Sequence, residues 1–525
     1  MSQRSPEHQP VAFAAVDLGA SSGRVVLGLL RGRQLHIAEV HRFENRPLSV
    51  DGRLQWDVDQ LFSQTLAGLA AAVRSASAQG AQLRGIGVDS WGVDFALLDD
   101  AGRVTGPVLH HRAAADATPA IRRRRMSPQQ VYERTGVPDH PINTSLRLSD
   151  LAVAGIARDQ RVLFVPDLWV HLLAGATGTD PTGTDPTGTD PAGTDPTIAS
   201  TSQLLDPASQ TWAGDVVAAG GIDALHLPSL QPPGTMAGRT TPAITARLGS
   251  DAPVPVFRVA GHDTASAFAF AAPDDRIPDD RIPDGHHRDA LISSGTWSIV
   301  GACVAEPIRS ERARESGFVN ECGVEGTLLV QNLNGMWILQ ECLREWSEHD
   351  GRPPELAGLL AEAERAGRDD RTFDVASRSL LASGDMVGRV TALAVEAGRP
   401  APESRSQIVR AILDSLAVAY ARSIMALEQL TGTRRTRVRI LGGGSRNRLL
   451  CQLTADATGL PVLAGPAEAS SIGNIAVQAR ASGGGSDIDG GNPGSITAYY
   501  DHLTGDGTEV ERFEPSRVTT RQEVR

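Results

Sequence analysis

The feature that most limits the possible folds of this 525-residue chain is an order of elements that occurs twice. In the first half, strand-like runs at 11–16, 25–30 and 35–43 are separated by glycine turns, a helical period follows over 57–77, and two more strand-like runs follow at 83–89 and 93–98. A similar order returns in the second half. Two such halves predict an α/β fold of two lobes with a cleft between them.

The second half contains more helix than the first. Its predicted strands are 256–260, 290–293, 298–304, 327–330, 438–441 and 461–463. Its predicted helices are 333–346, 407–430, 446–458 and 471–481, and the second of these ends at Gly432. We place the boundary in the Pro/Gly-rich approach near residue 245, so residues 1–245 form the first lobe and residues 246–525 the second.

The composition excludes several ways of handling a nucleotide. All 50 Lys and Arg residues are arginine, so the chain has no P-loop lysine, no Schiff-base lysine and no kinase strand lysine. The formal net charge of −12 argues against nucleic acid or an anionic membrane surface as a partner. Four cysteines without CxxC spacing or a secretory segment predict reduced thiols in the cytoplasm. The basic run 122–125 is typical of a solvated helix face.

Two short repeats interrupt the pattern. Gly-Thr-Asp-Pro units follow one another within 177–197, and Asp-Asp-Arg-Ile-Pro occurs at 274–278 and again at 279–283. Neither repeat can bury a core of its own, so both are predicted to be expansions of surface loops. The aspartates of the first repeat lack the spacing of a calcium-binding EF-hand loop.

Glycine turns beside polar side chains are the candidate sites. The turn after Asp17 returns as a hairpin, so its amides and hydroxyls can approach phosphate oxygens while Asp17 contacts Mg²⁺ through water. Asp263 follows a strand and precedes a predicted helix, where a carboxylate can accept a hydroxyl proton during phosphoryl transfer, although it can equally be a helix cap. Thr296 and the turn 442–444 offer a hydroxyl and backbone for a nucleotide.

Taken together, these segments resemble the FGGY carbohydrate kinases from about residue 11 to residue 515. The similarity is carried, in the family's order, by Asp-Leu-Gly at 17–19 with Gly-Arg at 23–24, Asp-Ser-Trp-Gly-Val-Asp at 89–94, Gly-His-Asp-Thr at 261–264, Ser-Ser-Gly-Thr-Trp-Ser at 293–298 and Gly-Gly-Gly-Ser-Arg-Asn at 442–447. The run 293–298, the run His-Asp-Thr-Ala-Ser-Ala at 262–267 and the stretch 320–340 look like the branch that acts on L-rhamnulose.

The resemblance implies a two-lobed, actin-like ATPase (ribonuclease H-like) fold with a catalytic cleft, a mainly sugar-binding first lobe and a mainly nucleotide-binding second lobe. It implies transfer of the ATP γ-phosphoryl group to the 1-hydroxyl of L-rhamnulose, with Asp263 as general base and Mg²⁺ near Asp17. The implied sugar-binding residues are Gly92, His262, Asp263, Thr264 and Asn332. The implied ATP-binding residues are Gly19, Ala20, Ser21, Ser22, Gly23, Thr296, Gln340, Gly443 and Gly444.

Two departures from the family pattern and three alternatives accompany this hypothesis. The family usually has an aromatic-Arg-Asp run where this chain has His110-His111-Arg112-Ala113, and Asn334 stands where an apolar residue is more usual.

Two of the alternatives are a kinase for another ketose or polyol, such as L-fuculose or D-xylulose, and a non-catalytic sugar sensor on the same fold. A dehydrogenase is disfavoured because the turn at 442–444 lacks GxGxxG spacing.

Overall fold

The computed structural model of the chain describes residues 10–32, 34–111, 125–155, 159–175, 189–269, 288–366, 371–483 and 509–516. The chain divides into two units. The first unit comprises Met1–Ile282, Cys303–Leu328 and Ala469–Gly507, and the second comprises Pro283–Ala302, Leu329–Glu468 and Thr508–Arg525. The placement of a lobe boundary at residue 245 stays a prediction.

The described residues form nineteen strands. They are β1 Val11–Leu18, β2 Ser22–Arg31, β3 Gln34–Glu44, β4 Leu48–Val50, β5 Arg53–Gln55, β6 Leu83–Ser90, β7 Phe95–Leu98, β8 Arg161–Phe164, β9 Leu205–Asp206, β10 Thr211–Trp212, β11 Met236–Arg239, β12 Pro255–Phe257, β13 Asp289–Ser294, β14 Trp297–Val304, β15 Phe318–Cys322, β16 Thr327–Asn334, β17 Arg437–Leu441, β18 Val462–Ala464 and β19 Glu511–Phe513.

The same residues form fifteen α-helices. They are α1 Val58–Ala78, α2 Pro128–Thr135, α3 Thr144–Val153, α4 Val165–Ala174, α5 Pro196–Ser200, α6 Gly214–Gly220, α7 Pro242–Leu248, α8 Asp263–Ala269, α9 Glu311–Glu315, α10 Trp337–Asp350, α11 Leu356–Arg365, α12 Met386–Glu396, α13 Arg405–Thr431, α14 Arg448–Thr458 and α15 Ala469–Ala481. Short 3-10 turns lie at Arg378–Leu381 and Gly443–Arg446.

The first unit is built on a six-stranded sheet in the order β11-β12-β6-β1-β2-β3. The meander β1-β2-β3 is antiparallel, and β6 joins β1 in parallel. Both faces of the sheet are covered. Ala14 and Val16 of β1 belong to one core with α1, whereas Phe13 and Ala15 belong to a second core with Ile475 of α15. Because alternate residues of a strand point to opposite faces, the continuous apolar run of β1 follows from this double burial.

The second unit contains a sheet in which the strands follow the order β16-β14-β13-β17-β18-β19. Strand β13 pairs antiparallel with β14 and parallel with β17, which pairs parallel with β18. The long helix α13 buries Ile412, Leu416 and Tyr420 against this sheet, in one core with α10 and α14. Helix α13 ends at Gly432 in the left-handed conformation, as the sequence predicts.

Most predicted elements are confirmed within a few residues, and the main error lies at the start of α10. The predicted helix 333–346 begins four residues too early, because Leu333 and Asn334 are the last residues of β16. Asn334 is buried, and its side-chain amide donates to the carbonyl of Val375 at 2.7 Å. This hydrogen bond explains how a polar residue is accepted at an ordinarily apolar position.

The prediction of a surface loop at the first repeat is wrong for its last part. Residues 189–197 are buried, and Thr194 and Thr197 have no exposed surface. The rest of that repeat, the second repeat and residues 122–124 of the basic run lie outside the described residues. Arg125, the last residue of that run, is exposed.

The four cysteines, Cys303, Cys322, Cys342 and Cys451, are all buried. Among the described residues, we find no helix with both the length and the apolar character needed to cross a membrane.

Candidate active site

Three aspartates lie at the carboxyl ends of three neighbouring parallel strands of the first unit. Asp17 near the end of β1 is the direct register partner of Asp89 near the end of β6. Strand β12 runs parallel to β6 on its other side, and a bridge from Ser90 to His262 extends this alignment to the residue before Asp263. Since the carboxyl ends of parallel strands share one edge of a sheet, the topology places these carboxylates in one region. Asp17 and Asp263 were predicted as site residues, and Asp89 was not.

Asp17 is ionised by its partners. Burial opposes the charge, but the Arg24 guanidinium, at 2.6 Å, and the hydroxyls of Ser470 and Ser471 together outweigh burial and keep the pKa of Asp17 below its usual range. The hydroxyl of Ser470, at the start of α15, donates to the same carboxylate oxygen at 2.6 Å. Arg24, one of the cations beside the glycine turn, therefore binds Asp17.

Asp89 has the opposite electrostatic environment. Burial, together with the negative charges of Asp17 and Asp263, raises its pKa well above the usual range, although Asn474 donates to one carboxylate oxygen at 2.6 Å. The other oxygen, Oδ1, has no hydrogen-bond partner among the described residues. The fully buried Asp89 is therefore the carboxyl group of the three that most readily holds a proton.

Asp263 is the first residue of α8, so it combines the two positions considered from the sequence, at a helix start and after a strand. Its side chain keeps 34% of its surface exposed. Burial raises the pKa of Asp263, the neighbouring His262 opposes this rise, and Asp17 adds to it. The hydroxyl of Thr264 donates to Asp263 at 3.1 Å. Asp263 is thus an accessible carboxylate with increased basicity, which suits a general base.

His262 lies between two acidic side chains. Its Nδ1 is 3.1 Å from a carboxylate oxygen of Glu321, and its Nε2 is 3.5 Å from Asp263 Oδ1. Burial disfavours the imidazolium, but Glu321, together with Asp263 and Asp195, outweighs burial and raises the pKa of His262 to about 9. His262 therefore carries a positive charge beside Asp263 at neutral pH. Glu321, on β15, was not predicted as a site residue.

The predicted phosphate turn is a hairpin, as expected. Leu18 pairs with Gly23, and the Gly19 amide donates to the Ser22 carbonyl at 3.0 Å across the turn. The side-chain amide of Asn45, just after β3, donates to the Gly19 carbonyl at 2.8 Å. Asn45 therefore ties the turn to the end of β3. The residues of this turn and its borders are Gly19, Ala20, Ser21, Ser22 and Gly23.

Gly92 precedes a backbone anchored by a buried ionic cluster. Val93 has a left-handed φ of 66°, which is unfavourable for a β-branched residue, and its carbonyl accepts from the Thr144 hydroxyl at 2.7 Å. Asp94 binds Arg147 at 2.6 Å and His111 at 3.0 Å. Burial opposes the charge on Asp94, but its interactions with His111 and Arg147 outweigh burial and keep its pKa far below the usual range.

This cluster explains one residue of the unusual run at 110–113. His111 is buried against Asp94, so it contributes to holding the Gly92 segment. The indole N–H groups of Trp56 and Trp91 also donate to Asp94, at 2.8 and 2.9 Å. Arg112 and Ala113 of this run lie outside the described residues.

The remaining predicted residues belong to the second unit. Asn332 on β16 and Gln340 on α10 are exposed. Thr296, in the turn between β13 and β14, is half-buried, and its carbonyl accepts the amides of Gly335 and Trp337, both at 3.2 Å. These bonds join the Thr296 turn to the start of α10, which carries Gln340.

The glycine turn after β17 has one packed and one open position. A β-carbon on Gly444 would lie 2.0 Å from the Ser294 hydroxyl, whereas one on Gly443 would have no atom within 4 Å. Gly444 therefore permits close packing inside the unit, and Gly443 presents backbone to open space. The two nearby arginines bind acidic residues: Arg446 pairs with Glu468 at 2.9 Å, and the exposed Arg448 pairs with Glu511.

The residues missed from the sequence are mainly partners of the predicted ones. Asp89 had a detectable signal, because it ends a predicted strand as Asp17 does. Glu321 lies in the stretch 320–340 that carries the resemblance, but its contact with His262 had no local signal, and Asn474 had no signal at all, since each is far along the chain from the residue it contacts.

Comparisons with known proteins agree on one family. The model of the FGGY carbohydrate kinase N-terminal domain matches residues 12–269, and the model of the C-terminal domain matches residues 290–482. A rhamnulokinase of Bacteroides thetaiotaomicron is 33% identical over 91% of this chain and 92% of its own length. A rhamnulokinase of Enterococcus faecalis is 34% identical over 90% of this chain and 89% of its own length.

Solved structures show the same fold. A ligand-bound xylulose kinase of Lactobacillus acidophilus has a TM-score of 0.72 at 14% identity, covering 98% of this chain and 96% of its own. A xylulose kinase of Rhodospirillum rubrum has a TM-score of 0.67 at 21% identity, covering 96% and 94%. The family matches span most of the chain, and the fold agrees with them. The chain is therefore a member of the FGGY family of carbohydrate kinases.

Proposed function

We propose that the chain transfers the γ-phosphoryl group of ATP to the 1-hydroxyl of L-rhamnulose, giving L-rhamnulose 1-phosphate and ADP. The observation that carries this proposal is the identity of 33% to a rhamnulokinase over 91% of the chain, with Asp263 present at the end of the parallel strands. A cytoplasmic location remains part of the proposal.

Asp263 is the general base in this proposal. It accepts the proton of the C1 hydroxyl as that oxygen attacks the γ-phosphorus and the bond to the leaving ADP oxygen breaks. Its raised pKa increases its proton affinity, and the charge of His262 limits that increase. Gly92, His262, Thr264 and Asn332 are proposed to bind the sugar.

The proposed ATP site consists of the hairpin turn Gly19, Ala20, Ser21, Ser22 and Gly23 together with Thr296, Gln340, Gly443 and Gly444. No lysine takes part. Gly443 supports the proposal because its missing side chain leaves open space beside backbone. Backbone amides and hydroxyls can bind phosphate oxygens without a cationic side chain.

Asp17 is the proposed contact for Mg²⁺, which neutralises phosphate charge when it is bound with ATP. An ionised carboxylate suits this hard cation, and Arg24 and Ser470 keep Asp17 ionised and fixed. Within the described ranges, no group of three or more His, Cys, Asp or Glu side chains could hold a metal ion. The contact proposed for Asp17 is through water.

The test is a panel of ketoses with ATP, in which kcat/KM and the position of the phosphate are determined for L-rhamnulose, L-fuculose and D-xylulose. We expect the highest kcat/KM for L-rhamnulose and phosphate on its 1-hydroxyl. A higher value for D-xylulose would overturn the substrate, since contact with one methyl group is worth only about 1–3 kcal/mol. No ATP consumption with any of the sugars would support the non-catalytic sugar sensor.

A further inference from the structure

The last copy of the Gly-Thr-Asp-Pro repeat is built into the interior of the first unit. Asp195 and Thr197 are 2% and 0% exposed, respectively. One carboxylate oxygen of Asp195 caps the short helix α5, because it accepts the Thr197 amide at 2.8 Å and the Thr197 hydroxyl at 2.5 Å. Capping alone explains only one of the two carboxylate oxygens.

The second oxygen of Asp195 binds the segment that carries Asp263. It accepts the backbone N–H of Gly261 at 3.0 Å, and the hydroxyl oxygen of Thr197 accepts the next N–H, that of His262, at 3.2 Å. Two consecutive amides just before α8 are therefore bound by these side chains. The Gly261 carbonyl accepts the Ser90 amide at 2.8 Å, so β6 fixes the same turn from its other side.

The contact between Asp195 and Gly261 leaves no room for a side chain at position 261. A β-carbon on Gly261 would lie 2.5 Å from the second oxygen of Asp195. Burial raises the pKa of Asp195 above its usual range, against the hydrogen bonds from Thr197 and Gly261. Burying a carboxyl group costs free energy unless its oxygens are hydrogen-bonded. Here one of the donors is the backbone of the turn that precedes Asp263.

We propose that Asp195 and Thr197 are positioning residues for Asp263, fixing the backbone of the turn from which the base projects. This inference rests on the proposed function, in which Asp263 accepts the sugar proton. A misplacement of about 1 Å can cost on the order of a hundredfold in rate, so loss of these two hydrogen bonds lowers kcat without a change in the residues that touch substrate.

The test compares Thr197→Val with Thr197→Ser. Valine has the shape of threonine but cannot accept the His262 amide or donate to Asp195, whereas serine retains the hydroxyl. We expect Thr197→Val to lose about 10–100-fold in kcat, with KM for ATP within about twofold of wild type. Thr197→Ser should recover most of the loss. Rates are normalised to the folded fraction measured by near-UV circular dichroism, so a purely structural role would not produce this split.

The repeat supplies a matched control. Asp190, five residues earlier in the same repeat, accepts from Ala192 and Ser229 through its side chain, and neither partner belongs to the Gly261 turn. We expect Asp190→Asn to keep kcat within about threefold of wild type and Asp195→Asn to lower it by about 10–100-fold. Equal kcat for Thr197→Val and Thr197→Ser, each active, would overturn the inference. Wild type without sugar-dependent activity would instead overturn the proposed function.

Hydrogen exchange of the wild-type protein keeps the inference testable if the variants do not fold. The amides of Gly261 and His262 should be protected like those of β6, because both are bound and buried. Rapid exchange at both amides in the folded enzyme would contradict the positioning role.

Discussion

Three aspartates on neighbouring strands show how much the function depends on individual environments. Arg24 lowers the pKa of Asp17, burial and like charges raise that of Asp89, and His262 limits the rise at Asp263. The sequence shows where the three carboxyl groups fall along their strands. It does not show their protonation, because the deciding partners include Ser470 and Asn474, which are hundreds of residues away from Asp17 and Asp89.

The His262–Glu321 pair makes the pH profile a test at this scale. A base works only when unprotonated, so kcat/KM of wild type should fall as the pH drops through the pKa of Asp263. It should fall again above about pH 9, because His262, one of the proposed sugar-binding residues, loses its proton there. In Glu321→Gln, the pKa of His262 should fall, so the alkaline limb should move down by about 1–3 pH units.

The groups around this pair set the direction of the change. His262 faces Glu321, Asp263 and Asp195, and Asp263 also faces Asp17. With a neutral His262, the remaining negative charges raise the pKa of Asp263 further, so the acid limb moves up while the alkaline limb moves down. An unchanged profile in folded Glu321→Gln would show that the ion pair does not affect the reaction.

Substitutions at Gly443 and Gly444 test nucleotide contact and internal packing separately. In Gly443→Ala the new methyl group meets no protein atom, so stability should change by less than about 1 kcal/mol while KM for ATP rises about 10-fold or more through the methyl's clash with the nucleotide. In Gly444→Ala, the methyl would meet the Ser294 hydroxyl, so stability should fall. Urea unfolding and steady-state kinetics measure both effects. An unchanged KM for ATP in Gly443→Ala would place the nucleotide elsewhere.

At the scale of elements, the strands and helices predicted from local pattern lie close to observed ones, but several short helices, such as α2 and α3, were not predicted, and the pattern failed where tertiary packing decides. The boundary between β16 and α10 was misplaced because Leu333 is apolar in either structure, and only the sheet pairing decides between them. The last part of the repeat, 189–197, reads as a polar loop. It is buried because its polar groups bind one another and Gly261.

Helix α15 packs closely against α8, the helix that begins with Asp263, so this contact can affect the position of Asp263. A β-carbon on Gly473 of α15 would lie 2.0 Å from the carbonyl oxygen of Ser266 in α8. Gly473→Ala should therefore push away the helix that begins with Asp263, lowering stability by about 1–3 kcal/mol and kcat by about 10-fold or more.

Gly68 of α1 is the matched control for Gly473. Its added β-carbon would lie 2.4 Å from the Val25 side chain, on the face of the sheet opposite α15. Gly68→Ala should lose stability to overpacking but keep kcat per folded molecule within about twofold. Thermal unfolding measures the stability of both variants, and steady-state kinetics measures their kcat. Equal kcat in the two variants would show that the contact of α15 with α8 does not position the base.

At the scale of the whole molecule, the absence of lysine leads to a chemical prediction. Since all 50 Lys and Arg residues are arginine, acylation with an amine-specific reagent can modify only the N-terminal amine. We expect one adduct at most in the intact mass and sugar-dependent ATP consumption within about twofold of the untreated enzyme. A large loss of activity at a single adduct would show that the N-terminus takes part in the reaction.

The repeated strand and helix order predicted two α/β halves, and the family resemblance predicted the fold. Neither predicted that Cys303–Leu328 and Ala469–Gly507 belong to the first unit. These segments supply Glu321, Ser470 and Asn474, so they complete the environment of the three aspartates. Such long-range contributions depend on the packed structure and have no local sequence pattern.

The most direct test of the account is the Asp263→Asn variant, with L-rhamnulose binding measured by calorimetry and kcat by ADP release. Asparagine has nearly the same shape as aspartate but cannot take up the C1 hydroxyl proton. We predict a fall in kcat of about a hundredfold to ten-thousandfold, with sugar affinity close to that of wild type. Turnover within a few-fold of wild type would contradict the assignment of Asp263 as the base.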